Sequence, residues 1–183
     1  MKTRPRLTLF LGVQLSGKST FAKKIAETQK ISRVSIDEVR FLLYGHLSCP
    51  KDWTDNDSVL LHNEETRKAY DILFGFIKTY LDLGWSLVVE MPHLGDREEA
   101  LMEIVKESNA DLKIVWCYIL QDSDEEIQKR INSRSSDSAP VRLEDYRMFK
   151  SRIKKPILSE CFEIDTSQQQ EISLELITRY LEF

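Results

Sequence analysis

One short stretch near the start of the chain constrains its fold more than any other feature. Residues 12–19 read GVQLSGKS, in which a glycine is followed by four residues and then by Gly-Lys-Ser. At ordinary amino-acid frequencies, a chain of 183 residues matches this spacing by chance less than about once in a hundred times. The apolar run Leu7–Leu11 before it is typical of a buried parallel strand, and Lys18–Thr28 after it has helical apolar spacing. The stretch is therefore expected to join a strand to a helix.

This order of strand, loop and helix is typical of a phosphate-binding loop, in which backbone N–H groups face a polyphosphate. Two glycines of the stretch would let the backbone approach the phosphates closely. Lys18 is expected to reach the β- and γ-phosphates of ATP, and the Ser19 hydroxyl to bind Mg²⁺. The alternative is a glycine-containing turn followed by a surface lysine. The predicted nucleotide contacts are Gly12, Gln14, Leu15, Ser16, Gly17, Lys18, Ser19 and Thr20.

The rest of the chain alternates apolar runs with amphipathic segments. This alternation predicts an α/β fold of the three-layer P-loop NTPase type, with a parallel five-stranded sheet and helices on both faces. Such sheets bind ligands at the carboxyl ends of their strands. Strands are predicted near 7–11, 33–35, 85–91, 112–120 and 161–165, and helices near 18–28, 37–44, 69–81, 96–107, 123–134, 143–155 and 171–183. The segments 45–57 and 133–142 are predicted to be irregular.

Composition and net charge argue against several classes of protein and of binding site. The net charge of −4 argues against a surface built for sequence-independent nucleic-acid binding. The length of 183 residues predicts one domain over residues 1–183. No apolar run is long enough to cross a bilayer, so we expect the protein in the cytoplasm. We expect no obligate protein partner. The three cysteines and three histidines show no metal-ligand spacing, which disfavours a zinc site.

An acidic and a basic residue follow the second predicted strand. Asp37 comes directly after it, and Arg40 follows on the same face of the next helix. A phosphotransferase needs a carboxylate to deprotonate an acceptor hydroxyl and a cation near the acceptor or the phosphoryl group. Asp37 and Arg40 are therefore candidate catalytic residues. In the alternative interpretation Ser35 or Asp37 is a helix N-cap, and Arg40 is a solvated helix residue.

Two further charged sites follow later strands. Glu90 ends the third predicted strand, where P-loop enzymes keep the acidic group that supports Mg²⁺, although aspartate is more usual there. Arg130 and Arg134 lie four residues apart on one helix face, and the two like charges repel each other. We expect them to belong to a lid, about 130–142, that closes over the transferring phosphate. Alternatively, they pair with the glutamates at positions 125 and 126.

The segments GVQLSGKST, SIDEVR, LVVE and KRINSR, in this order, resemble the small P-loop kinases of the polynucleotide kinase and zeta-toxin group. The likeness covers nearly the whole chain. It implies that Lys18 is the phosphate lysine, Ser19 a Mg²⁺ ligand, and Asp37 the general base. It also implies that Arg40 contacts the acceptor or phosphate and that Arg130 and Arg134 are lid arginines. Glu90 departs from the aspartate that is usual in this group.

The sequence leaves three functions open. The first is an ATP-dependent phosphotransferase that uses Mg²⁺ and acts on a hydroxyl of a small molecule or of a nucleic-acid 5′ end. The second is a nucleotide-hydrolysing switch, although the Asn-Lys-x-Asp motif expected of a GTPase is absent from the sequence. The third is a nucleotide-binding adaptor without catalytic activity.

Overall fold

The computed structural model describes residues 4–47, 50, 53–134 and 140–182. Among the helices in these ranges, none combines the length and the apolar character that a membrane span requires. The strands are β1 (Arg6–Leu11), β2 (Ser32–Ser35), β3 (Leu87–Glu90), β4 (Asp111–Tyr118) and β5 (Phe162–Asp165). The helices are α1 (Lys18–Gln29), α2 (Ile36–Tyr44), α3 (Asn56–Asp82), α4 (Glu98–Glu107), α5 (Asp124–Asn132), α6 (Leu143–Arg152) and α7 (Gln170–Glu182).

The five strands form one parallel sheet in the order β2-β3-β1-β4-β5. β1 is the central strand, with β3 on one side and β4 on the other. From β1 the chain crosses to β2 at one edge, whereas the later strands β4 and β5 lie on the opposite side. The carboxyl end of β1 is therefore the point where the connections diverge, which is where open parallel sheets bind ligands.

Alternating side chains of β1 supply two apolar cores, one on each face of the sheet. Leu7, Leu9 and Leu11 are buried against α2, α3 and α4. Phe10 is buried on the other face, together with apolar side chains of α1 and α7. Because both faces are covered, the inner strands β1, β3 and β4 are mostly apolar. The predicted three-layer fold with a parallel five-stranded sheet is confirmed.

Several helix boundaries differ from those predicted. α3 begins at Asn56, within the segment 45–57 that was expected to be irregular. Its first turns expose Leu60 and Leu61, so no buried apolar stripe marks them in the sequence. α5 and α6 end two and three residues early, and a 3₁₀ turn at Gly95–Arg97 precedes α4. Residues 135–139 of the predicted lid lie outside the described residues.

We expect Gly12→Ala to lower the free energy of unfolding by more than about 3 kcal/mol. Gly12 has φ 135°, and a Cβ built there would overlap the carbonyl oxygen of Cys117. Gly45→Ala is the matched control, since Gly45 has φ 71° but open space around a built Cβ. It should cost only about 1–2 kcal/mol. Urea unfolding of both variants tests this prediction, and equal losses would contradict it.

Candidate active site

The phosphate-loop stretch folds as a tight turn against the end of the sheet. Gly12 donates its N–H to the carbonyl of Pro92 at 2.9 Å, and Ser16 donates to Val13 at 3.3 Å. Leu15 and Gly17 have φ 67° and 78°, so the backbone turns through the left-handed region twice. Gly17, the N-cap of α1, has no side chain that could accept from the first N–H groups of the helix. The first N–H groups of this helix are therefore available to an anion.

A cavity of about 480 Å³ lies at the carboxyl ends of β1, β2 and β3. It brings together most of the residues predicted from sequence. Gly12 and Ser16 belong to the loop but do not line the cavity, and Ser16 is fully buried. Arg40 does not line the cavity. The predicted residues that do line it are Gln14, Leu15, Gly17, Lys18, Ser19, Thr20, Asp37, Glu90, Arg130 and Arg134.

Lys18 lies in the loop with its ammonium turned inward. Its Nζ donates to the carbonyl of Val13 at 2.7 Å. Burial lowers the pKa of Lys18, while Cys117, Glu90 and Asp37 act in the opposite direction. Lys18 is half-buried, so an anion placed beside its ammonium would interact more strongly than at an open surface. The surface-lysine alternative does not fit this burial.

Glu90 and Ser19 both line the cavity. Glu90 ends β3, where it pairs in register with Phe10 and Ser35. Arg33 Nη1 lies 3.5 Å from Glu90 Oε2, and the Ser19 side chain is close enough to oppose the rise in the pKa of Glu90. Burial raises the pKa of Glu90. A buried carboxylate thus stands directly beside the predicted magnesium ligand.

This pair of oxygen groups fits Mg²⁺. Buried Oε2 of Glu90 accepts no hydrogen bond from the described residues. Within the same part of the chain no cluster of three or more His, Cys, Asp and Glu side chains is present. Mg²⁺ is usually held by one or two protein oxygens together with phosphate oxygens and waters, rather than by a complete protein cage. Ser19 and Glu90 are therefore the residues that would hold it.

Asp37 lies in the first turn of α2 and is not its N-cap. Ser35 has that role, since its Oγ accepts from the Glu38 N–H at 3.0 Å and its own N–H donates to Glu38 Oε2 at 2.8 Å. This capping box leaves the Asp37 carboxylate on the cavity wall. Of the two capping residues that the sequence left open, the structure selects Ser35.

Arg40 is directed away from the cavity toward α3. It is only 6% exposed, with Nη2 3.8 Å from Glu65 Oε2 and 3.3 Å from His62 Nδ1. It is therefore neither a solvated helix residue nor brought together with the phosphate loop. Its observed contacts join α2 to α3.

The two predicted lid arginines occupy different environments. Arg130 Nε pairs with Glu126 at 2.7 Å, as in the alternative interpretation. Arg130 also donates to the carbonyl of Leu15 at 3.1 Å and to that of Thr166 at 2.7 Å. Arg134 lines the cavity, and its charge lowers the pKa of Lys18. Arg130 thus ties the loop to the end of β5, while Arg134 is close to the predicted phosphate site.

Sequence reasoning did not single out Thr166, which accepts hydrogen bonds from Arg130 beside the cavity, or Lys23, which lines the cavity. Thr166 directly follows β5, and its N–H donates to Tyr118 at 2.8 Å. Its place after a strand end is the signal that would have identified it. Lys23 lines the cavity one helical turn beyond Ser19, so its i+4 spacing was visible in the sequence. Trp53, in the segment predicted to be irregular, donates from Nε1 to Asp145 at 2.9 Å.

A family model described as an AAA domain matches residues 7–156. The chain belongs to this family. No curated protein matches this AAA-domain chain significantly. The model thus covers β1 to β4 and six of the helices, including the whole cavity wall named above.

Solved structures of kinases share the fold of this AAA-domain chain. A sugar kinase from Janibacter sp. HTCC2649 has TM-score 0.69 and 16% identity, covering 97% of this chain and 95% of its own. A gluconokinase from Sinorhizobium meliloti 1021 has TM-score 0.64 and 17% identity, covering 98% and 93%. An APS kinase from Mycobacterium tuberculosis, in complex with AMPPNP and APS, has TM-score 0.60 and 15% identity, covering 98% and 99%. At this identity the likeness shows the fold.

Glu90→Gln should stabilise the nucleotide-free protein at neutral pH, because burial of Glu90 penalises the ionised form in the folded state. The unfolded chain loses this proton near the usual pKa of 4.5, whereas the folded protein keeps it to higher pH. Wild-type stability therefore falls as the pH rises from 4.5 to the folded pKa. The gain from glutamine should be absent at lower pH and complete above that window.

Urea unfolding as a function of pH measures this effect. Glu103→Gln, which changes an exposed glutamate of α4, is the matched control and should not alter the pH dependence. A loss of stability in Glu90→Gln at neutral pH would show that its carboxylate stabilises the fold through its neighbouring cations.

Arg130→Ala should lower the free energy of unfolding by about 1–3 kcal/mol, because it removes hydrogen bonds to buried or half-buried partners. Arg130→Lys should not restore it, since an ammonium cannot span three partners as a planar guanidinium does. Arg134→Ala should lower the free energy of unfolding less than Arg130→Ala does, and it should reduce kcat for ATP turnover more than Arg130→Ala does. Chemical denaturation and steady-state kinetics measure the two effects, and equal profiles for both arginines would refute this division.

Proposed function

We propose that the protein is an ATP-dependent kinase that transfers the γ-phosphate of ATP to a hydroxyl of a small molecule or of a nucleic-acid 5′ end. We further propose that it belongs with the P-loop kinases of the polynucleotide kinase and zeta-toxin group. The observation that carries the proposal is that Asp37, which is not used as a helix cap, shares one cavity with Lys18 and Glu90. A base, a phosphate cation and a magnesium carboxylate thus border the same space.

The residues then have separate roles in the transfer. Lys18 and the N-terminus of α1 hold the β- and γ-phosphates. Asp37 accepts the proton of the acceptor hydroxyl. The oxygen of that hydroxyl bonds to the γ-phosphorus as the bond from phosphorus to the β,γ-bridging oxygen breaks. Arg134 stabilises the negative charge of the phosphoryl group in transit. Bound Mg²⁺, held at Ser19 and Glu90, would supply charge neutralisation on the phosphate oxygens.

The structural relatives support this assignment at the level of the reaction. They include a gluconokinase and an APS kinase, the latter in complex with AMPPNP and APS. A further relative of this fold, Kti12 from Chaetomium thermophilum, is in complex with ADP-AlF3. A regulatory GTPase switch is less well supported, since the Asn-Lys-x-Asp motif expected of a GTPase is absent from the sequence. A cytoplasmic location and the absence of an obligate partner stay predictions from the sequence.

Asp37→Asn should reduce acceptor-dependent ATP consumption by about 100-fold or more, since the amide keeps the size but cannot take a proton. The KM for ATP should change by less than about threefold, because the loop contacts remain. Consumption of ATP with and without acceptors, followed by mass spectrometry of the products, measures both quantities. Asp57→Asn, an exposed aspartate in the first turn of α3, is the matched control. Full activity of Asp37→Asn would rule out its role as the base.

A further inference from the structure

A second cavity adjoins the phosphate cavity on the side of α2, and we call it the α2 groove. Its volume is about 1200 Å³. Ser19, Asp37, Glu90 and Arg134 line both spaces. The two cavities therefore share one wall, and Asp37 stands on it.

The position of the groove matches the direction from which an acceptor must come. Phosphoryl transfer places the attacking and leaving oxygens roughly in line, so the acceptor lies on the side of the γ-phosphate opposite to ADP. Gln14, Leu15, Gly17 and Lys18 line the phosphate cavity but not the α2 groove. Ser19 lines both. A molecule with its hydroxyl at Asp37 would thus extend its body into the groove.

The walls of the groove are largely apolar. Phe41 is 54% exposed and Leu42 is 83% exposed, both on the outer side of α2. Apolar side chains left in contact with water beside a polar site are typical of a ligand surface. The apolar lining consists of Val34, Phe41, Leu42, Leu47, Phe76 and Pro140.

Among the described residues, three basic and three acidic side chains line the groove. The basic ones are Lys23, Arg33 and Arg134, and the acidic ones are Asp37, Glu38 and Glu90. Arg33 is bonded to Glu38 and lies 3.5 Å from Glu90, so its charge is already matched. Arg40, which was predicted to contact the acceptor or the phosphate, lies against α3 instead. Neither an acidic sugar nor a nucleic-acid backbone would find an excess of positive charge here.

We propose that the α2 groove binds an uncharged alcohol with an aliphatic or aromatic body, and that the hydroxyl of this alcohol is the phosphate acceptor. The inference rests on the proposed kinase function, and it adds the substrate class. In the transfer, the alcohol oxygen bonds to the γ-phosphorus of ATP as the bond to the β,γ-bridging oxygen breaks. The hydroxyl proton passes to Asp37, and ADP leaves.

A homologous series of primary alcohols, from butan-1-ol to octan-1-ol and including 4-phenylbutan-1-ol, tests the proposal. With ATP and Mg²⁺, kcat/KM should rise by roughly two- to fourfold for each added methylene, as burial of apolar surface requires. Product is measured by mass spectrometry. Binding of the same alcohols is measured separately by NMR with a nonhydrolysable ATP analogue. Gluconate and a 5′-hydroxyl oligonucleotide serve as polar acceptors.

Phe41→Ala should flatten this dependence on chain length and raise the KM for 4-phenylbutan-1-ol by about tenfold. The KM for ATP should stay unchanged. Leu61→Ala is the matched control, because Leu61 is 59% exposed on α3 and does not line the groove. Both positions are exposed, so neither variant is expected to unfold.

The outcomes separate the two proposals. Phosphorylation of gluconate or the oligonucleotide, with no dependence on alcohol length, would overturn the substrate class and leave the kinase function intact. Binding that strengthens with alcohol length, with no phosphorylated product from any of the acceptors, would support the groove as a binding site but overturn both the acceptor assignment and the kinase function. No binding of any alcohol would overturn the groove. A concentration-dependent dimer in light scattering, abolished by Phe41→Ala, would also overturn it by assigning the surface to a second copy.

Discussion

The close approach of Gly12 to the ends of β3 and β4 determines where the active-site residues can lie. Its N–H bonds to Pro92, and the space where a side chain would stand is filled by the carbonyl of Cys117. The loop is thereby fixed to the central strand before it turns into α1. The other residues of the cavity lie at the end of a strand of the same parallel sheet, or in a segment that follows one. The geometry of the site is therefore a property of the sheet and not of a flexible loop.

This fixed geometry places charged groups where water solvates them poorly. Burial lowers the pKa of Lys18 and raises the pKa of Glu90, so each group is disfavoured in its ionised form. Their opposite charges oppose both shifts. A nucleotide that brings phosphates and a divalent cation would give each group a stronger partner than it has without ligand. The same burial that costs stability in the free protein would thus contribute to nucleotide affinity.

The layers and the phosphate loop could be predicted from sequence because each depends on local pattern. The apolar strands, the glycine spacing and the helix that follows are all read within a few residues of one another. The roles of the arginines could not be read in this way. Arg40 and Arg130 have the spacing expected of phosphate contacts, but their partners Glu65 and Thr166 lie 25 and 36 positions away in sequence. Only the packing of α2 on α3, and of α5 near β5, decides where these side chains turn.

The contacts of Arg40 also begin a series of contacts that connects α2 to α6. Arg40 meets His62 on α3, and the His62 ring packs edge-on against Trp53 with centroids 5.4 Å apart. Trp53 donates to Asp145, which is buried and held by Arg142 at the start of α6. Hydrogen bonds to buried carboxylates are costly to break. A movement of α2 relative to α6 that breaks these contacts would therefore cost free energy. The helix that carries Asp37 is thus mechanically linked to the segment that follows the predicted lid.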